Sequence, residues 1–362
     1  MPEVVSFTAP GQVALVPCES VPLTPGSVRV LTWYSGISAG TELTAYRGSN
    51  PYLTRTWDPD RRLFLDPAAA PAPTFAYPVD GWGYSEVGEV VEAADDVATI
   101  PGAPAVGDVV HGIWGHRSEA VLPAAALAYR GWSADDALSG TFARVGSIAL
   151  NAVLAAETRI GDRLAVFGQG VIGLLSTRLA SLGGTDVVAV DMLPRRLEVA
   201  RAMGAAETVP ADAEGGAGAV VRAWSGGGVD AAIELSGSDR ALHEAVRSVV
   251  VDGIVVASGF YQGGAANLRL GEEFHHNRVR IVASQISGTP VGLGPRWDQP
   301  RLVRTFMELV RRKQVDAASL VTDVVDAAEV AGVFGRLDRG DPDILQAVLR
   351  FPAAPESSSG WT

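Results

Sequence analysis

The sequence predicts an α/β protein in which a doubly wound parallel sheet is joined to a small, irregular β-barrel. Three observations carry that expectation. A glycine-rich turn, Gly168-Gln169-Gly170-Val171-Ile172-Gly173, follows an apolar β-type run and opens an apolar helix. Strand-like and helix-like segments alternate on either side of it, the pattern of a parallel sheet covered on both faces. Up to about residue 130 the chain is instead rich in Gly, Pro and short β-type runs, which suits a small barrel.

In chain order, Val28–Leu31 and Val87–Val91 read as barrel strands separated by turn residues. The stretch from Ser49 to Pro78 carries Trp57, Phe64 and Phe75 with few strand signals, and is too long for a plain connection. A lid or binding loop is the expectation there. A cap pattern at Ser133-Ala134-Asp135-Asp136 introduces a helix reaching Glu157. The alternating series then runs Arg163–Phe167 (strand), Val171–Leu182 (helix), Asp186–Val190 (strand), Arg195–Met203 (helix), Val229–Leu235 (strand), Ala241–Val249 (helix) and Ile254–Ala257 (strand). A further helix, Leu302–Arg311, precedes mixed short elements ending near Phe351, and the Ala/Pro/Ser/Gly tail at 353–362 reads as disordered. The division expected is residues 1–152 and 290–352 for a catalytic domain built from both ends of the chain, with 153–289 as the nucleotide domain.

Composition narrows the function classes. The 362 residues are 47% hydrophobic and 19% charged, as in a soluble globular protein. A formal charge of −12 sets general repulsion against nucleic acid, and the basic run Arg311-Arg312-Lys313 reads as a solvated helix face. No apolar stretch reaches the ~18 to 20 residues of a membrane span, and no secretion signal is evident at the N-terminus. A single cysteine, Cys18, excludes an internal disulfide and a Cys-rich zinc site, and fits a reducing cytoplasm. Lys313 is the single lysine, which rules out a Tyr-x-x-x-Lys pair or a Schiff-base lysine in the chain's centre.

The glycine turn has a definite chemistry. Gly168 permits a tight turn, Gly170 lets a pyrophosphate approach, Gly173 permits close helix–strand packing, and the first amides of the helix, around Val171 and Ile172, face the phosphates. Asp191 closes the next strand at the distance expected for a carboxylate that holds the adenosine ribose, favouring NAD over NADP. Arg195 and Arg196 run against this, since a guanidinium can receive a 2′-phosphate; helix-surface arginines are the commoner reading. Ser236-Gly237 and Ser258-Gly259-Phe260 end later strands, where the nicotinamide half of a dinucleotide would lie.

With these residues in place, the chain to about Phe351 resembles the medium-chain dehydrogenase/reductase superfamily, whose members join a Rossmann domain to a GroES-like barrel. The resemblance extends to Ser35-Gly36-Ile37-Ser38-Ala39-Gly40-Thr41-Glu42-Leu43, to Gly83-Tyr84-Ser85-Glu86-Val87-Gly88, and to Gly107-Asp108-Val109-Val110 followed by His116 and Glu119-Ala120-Val121. The first two motifs are most similar to those of the bacteriochlorophyllide a dehydrogenase-like branch. The resemblance implies a small-molecule substrate, a homodimer or homotetramer, and a zinc ion in the zinc-dependent members. Here the zinc-ligand positions fall on Ser38 or Ala39, on Tyr84-Ser85 and on Arg144, and the four-cysteine structural loop is absent. Zinc needs N, S or carboxylate ligands, so the expectation is that both zinc sites are lost.

Without zinc, side chains must manage the proton that accompanies hydride transfer. Tyr84, at the position of a zinc-binding histidine, is one candidate, and a buried structural tyrosine is the equal alternative. His116, near the family's substrate cleft, has an imidazole suited to proton shuttling at neutral pH. Thr41 aligns with the family's relay hydroxyl. Arg144 is a candidate for binding an anionic or carbonyl-bearing substrate, or for an ion pair with Glu42 or Glu86. Trp82, Trp114 and Trp297 are candidate walls of an apolar cleft, and His275 and His276 candidate contacts to substrate or a partner subunit, adjacent residues being poorly placed to share a metal. The leading reading is a zinc-independent NAD(H)-dependent oxidoreductase of a secondary alcohol or ketone in a polyol, sugar-like or secondary-metabolite substrate. The alternatives are an NAD(P)H enone or quinone reductase, which Asp191 opposes, and a non-catalytic NAD-binding protein.

Overall fold

A computed structural model describes residues 1–66, 72–127 and 130–355. The chain divides into two compact units, Met1–Arg144 with Ala318–Thr362, and Val145–Ala317. The expected boundaries at 152 and 290 therefore move outward on both sides of the nucleotide unit. The reason is packing. Helix Ala143–Ala155 from Val145 onward and helix Gln299–Arg311 lie in this unit, and a Cβ at Gly146 would meet the buried Phe306 ring at 2.2 Å.

In the second unit six parallel strands run in the spatial order Glu207–Pro210, Asp186–Asp191, Arg163–Phe167, Val229–Glu234, Val249–Ala257, Arg280–Ala283. Numbered along the unit this is 3-2-1-4-5-6, the dinucleotide-binding order, with its reversal beside Arg163–Phe167. Those strands are near-continuously apolar because helices cover both faces: Leu164, Ala165, Val166, Val187, Val188 and Ala189 have no exposed surface. Strand Arg163–Phe167 and helix Val171–Leu182 match the sequence reading. The short strand Glu207–Pro210, helix Ala217–Trp224 and edge strand Arg280–Ala283 escape it.

The first unit holds a sheet ordered Gly131–Trp132, Val109–Gly112, Glu86–Ala93, Ser27–Gly36, Gln346–Arg350, Val321–Asp326, with Glu119–Pro123 also on Ser27–Gly36, and a three-stranded sheet beside it. Strand Gln346–Arg350 pairs antiparallel with Ser27–Gly36, so both ends of the chain do build this unit. Ser133 caps the turn Ala134–Asp136 as expected, accepting from the Asp135 amide. The predicted helix to Glu157 is nevertheless broken into Ala134–Asp136, Ala137–Gly140 and Ala143–Ala155. Gly140 lies so close to Val87 that a Cβ would be 3.0 Å from its Cγ2. Among the described residues no single helix is long and apolar enough to cross a membrane, though the bent pair Ala134–Gly140 and Ala143–Ala155 passes by length and composition together. Most of the predicted disordered tail lies outside the described residues.

Candidate active site

In the nucleotide unit the three glycines do separate jobs. Gly168 has φ +89°, and a Cβ there would sit 2.8 Å from the Ser236 amide nitrogen. A Cβ on Gly173 would be 1.8 Å from the Gly168 carbonyl oxygen, whereas Gly170 faces open space. The turn thus presses strand, helix and the neighbouring strand end together while leaving one backbone position clear for a ligand. The Gln169 side chain turns inward: its Nε2 donates to the Val166 carbonyl and its Oε1 accepts from Thr177, leaving only its backbone at the turn surface. Asp191 is held by two amides, Gln169 N to Oδ2 at 2.6 Å and Leu193 N to Oδ1 at 2.8 Å. Each oxygen keeps a second lone pair for a ribose hydroxyl. Arg196 is partly buried, with no hydrogen-bond partner for its Nε. These residues suit a dinucleotide.

Next to this turn stands an anchor that sequence reasoning missed. Glu234, fully buried at the end of Val229–Glu234, accepts from the amides of Ser236 (2.7 Å) and Gly237 (3.1 Å) and from the hydroxyls of Ser236 and Tyr261. Burial pushes its carboxyl up, and burial together with the Glu234 charge pushes the Tyr261 phenol up. The Ser236-Gly237 turn is thereby pulled against Ser258-Gly259-Phe260, where a Cβ on Gly259 would lie 2.3 Å from Gly237 N. The available signal is a carboxylate closing the apolar run Ala231-Ala232-Ile233. His275 and His276 are exposed in this unit, ring to ring at 5.4 Å, and Trp297 stacks under Arg301 at 4.3 Å.

The barrel unit carries the second cluster. Ser38 stands at the N-terminus of helix Ala39–Arg47, Thr41 sits in its first turn, and Tyr84 lies two residues before strand Glu86–Ala93. The Tyr84 hydroxyl bonds to Ser38 Oγ and, at 3.4 Å, to Thr41 Oγ1. Burial, and after it the Glu42 charge, pushes the phenol above its usual value; the Arg144 charge acts weakly the other way. Burial lowers Arg144 from its ordinary range, and an arginine stays cationic regardless. Two hydroxyls, a protonated phenol and a guanidinium are not a zinc donor set.

His116 does not join that cluster. Its ring has no exposed surface and both nitrogens are engaged, Nε2 with Glu42 Oε2 at 2.8 Å and Nδ1 with Ser35 Oγ at 2.6 Å. Ser35 donates to Glu86 Oε1 at 3.0 Å, which leaves its oxygen able to accept from His116 Nδ1. Glu86 Oε2 also takes the Trp114 amide at 2.7 Å, and Glu42 Oε1 takes the Ser38 amide at 2.9 Å. Burial opposes the charged imidazole, but Glu42 and Glu86 outweigh it and hold its pKa above the ordinary value; burial pushes Glu86 itself up. Ser35 and Glu86 are register partners across two strands, which is why they meet. Glu42 and Glu86 thus both spend carboxylate oxygens on His116, Ser35 and the neighbouring amides. A direct proton transfer from His116 to substrate has no open path here. Its ring is instead a floor: a Cβ on Gly83 would sit 2.7 Å from its Cε1.

Trp82 lines a cavity of about 520 Å³ in this unit together with Tyr52, Phe75, Asp80 and Tyr84. Trp114 is placed elsewhere than expected. It packs in the barrel core with Val28, Val30, Val110 and Leu127, its Nε1 donating to Thr32 at 2.8 Å, so it walls no cleft.

Residues 171–299 match the family model described as zinc-binding dehydrogenase. A D-guloside 3-dehydrogenase of Escherichia coli is 30% identical over 333 residues, covering 89% of this chain and 91% of that protein. The (R,R)-butanediol dehydrogenase of Bacillus subtilis is 33% identical over 150 residues, 41% of each chain. The crystal structure of the 2R,3R-butanediol dehydrogenase from Bacillus subtilis covers 97% of this chain and 99% of its own, with a TM-score of 0.75 at 22% identity. Fold, glycine turn and near-full-length similarity agree: the chain belongs to the zinc-type alcohol dehydrogenase-like branch of the medium-chain dehydrogenase/reductase superfamily, a family of alcohol and polyol oxidoreductases.

Proposed function

We propose that this protein is a zinc-independent, NAD(H)-linked dehydrogenase of a secondary alcohol or ketone in a polyol or sugar-like substrate. The observation that carries the reading is the Tyr84–Ser38–Thr41 hydroxyl cluster beside the Arg144 charge, at positions that the family resemblance aligns with zinc ligands. When bound, the nicotinamide supplies or accepts the hydride. Gly168, Gly170, Gly173 and Asp191 would hold the dinucleotide, and a carboxylate at Asp191 disfavours a 2′-phosphate.

Tyr84 stays protonated across the physiological range because its pKa is raised. In reduction its hydroxyl donates to the carbonyl oxygen and stabilises the developing alkoxide. In oxidation the alcohol proton passes to the Tyr84 oxygen as the Tyr84 proton moves to Ser38 or to the partly exposed Thr41, and from there to water. No phenolate forms. His116, locked between Glu42 and Ser35, positions the Gly83-Tyr84 backbone and carries no proton in the reaction. The test is single-turnover hydride transfer. Tyr84→Phe is expected to lower the rate by about 10²- to 10⁴-fold, the usual weight of general acid–base catalysis, with NADH affinity unchanged. Transfer within about threefold of the parent would remove Tyr84 from the mechanism.

A further inference from the structure

Within the barrel unit, the cavity beside Tyr84 has a character that the proton relay does not use. Tyr52, Phe75 and Trp82 form one side, linked edge to face at 5.4 Å and 5.2 Å between ring centroids. Phe75 is 40% exposed, so its ring remains available to a ligand on this wall. On the same cavity lies Asp80, exposed, whose side chain has no hydrogen-bond or ion-pair partner among the described residues. The volume, about 520 Å³, falls inside the ~300 to 1,000 Å³ range of small-molecule sites and far exceeds what a four-carbon diol fills.

Resting on the dehydrogenase reading above, we infer that this cavity binds a pyranose ring, so that the substrate is a cyclic sugar or glycoside and not an acyclic polyol or a small diol. A pyranose has one face of C–H bonds and a rim of hydroxyls. The aromatic wall covers the first, and a free carboxylate accepts from two neighbouring hydroxyls of the second. A purely apolar alcohol would use the wall but leave Asp80 desolvated without a donor, which is unfavourable. An acyclic polyol would satisfy Asp80 but would lose internal rotations on binding and present no flat face to the wall. Tyr84 lines the same cavity, which puts a ring hydroxyl within the reach of the relay.

Two measurements test this separately from turnover. Isothermal titration of the full chain with methyl glucoside, sorbitol, butane-2,3-diol and cyclohexanol, in the presence of NADH, reads binding alone. Steady-state oxidation of the same four compounds reads chemistry. The glucoside is expected to bind at least tenfold more tightly than the other three, about the discrimination a hydrogen-bonding site achieves over an analogue that leaves it unpaired. Phe75→Ala and Asp80→Asn, both on exposed side chains, should raise the KM for the glucoside about tenfold with a smaller change in kcat, and shrink its advantage over the diol. Should cyclohexanol or the diol bind as tightly as the glucoside, or neither variant alter glucoside binding, the ring proposal fails while alcohol oxidation keeps the dehydrogenase reading. Glucoside binding that depends on Phe75 and Asp80 without any oxidation would sustain the cavity assignment and overturn the dehydrogenase reading. Absence of both would remove the two together.

Discussion

Glu42→Gln probes the buried charge network most sharply. The substitution keeps shape and hydrogen-bonding capacity but removes the carboxylate that sits 2.8 Å from His116 Nε2, with both side chains fully buried. Removing one member of a buried ion pair costs about 3 to 5 kcal/mol, because the remaining charge is stranded out of water. For a unit of this size each kcal/mol shifts Tm by about 2 to 4 °C, so the barrel transition should fall by roughly 6 to 20 °C. Scanning calorimetry is the assay, since two units need not melt together. The direction with pH follows from the raised His116 pKa. Its contribution is fully present below the ordinary imidazole value, about 6.5, and is lost as pH rises through the higher folded value. Glu86, also raised, changes stability in the same direction from a lower pH. The parent should therefore lose barrel stability on going from mildly acidic to alkaline solution. The Glu42→Gln protein should show its largest deficit at about pH 6, where the imidazole would otherwise be charged. In Glu42→Gln/His116→Gln neither member of this pair is left without the other, and the two costs should be non-additive by about 1 to 3 kcal/mol. A shift under about 3 °C, or additive costs, would refute the charged-pair description.

Two further outcomes concern the nucleotide unit. Gly173→Ala forces a methyl group onto the Gly168 carbonyl and should weaken NADH binding about tenfold or more, in line with the ~1 to 3 kcal/mol cost of overpacking; titration of the protein's fluorescence with NADH checks it, and unchanged affinity would mean the turn can open. Asp191→Ala should weaken NADH by about one to two powers of ten while leaving NADPH less affected, so the preference narrows; equal affinities in the parent would transfer the choice to Arg196.

Local features of the sequence made the nucleotide unit readable. The turn at Gly168, the following helix and Asp191 all lie within one strand–helix–strand stretch, so spacing alone places them. The helix Ala217–Trp224 was harder, because Gly215, Gly216 and Gly218 interrupt its pattern, and Gly218 is small for a tertiary reason, the Glu244 carbonyl lying 2.4 Å from where a Cβ would be. In the barrel unit Tyr84 and Thr41 could be singled out by motif, whereas the pairing of His116 with Glu42 spans 74 residues and joins a loop to a helix. The same holds for Trp114, whose neighbours in the core come from Ser27–Gly36 and Val109–Gly112. The aromatic segment between Ser49 and Pro78 looked like a binding loop, and in the structure Tyr52, Trp57, Phe64 and Phe75 cluster with ring spacings of 5.0 to 5.5 Å. Asp80 gave no signal in one dimension, since an exposed carboxylate acquires meaning only from the wall beside it.

In the proposed mechanism side-chain hydroxyls, with no metal, carry the proton during hydride transfer. It is tested most directly by stripping the purified protein with a chelator, measuring its zinc content, and following reduced nicotinamide in a single turnover with an oxidisable sugar alcohol or glycoside. Well under one zinc per chain, an unchanged rate after stripping, and no gain when zinc is restored are the expected results. Stoichiometric zinc whose removal abolishes hydride transfer, and whose return restores it, would contradict it.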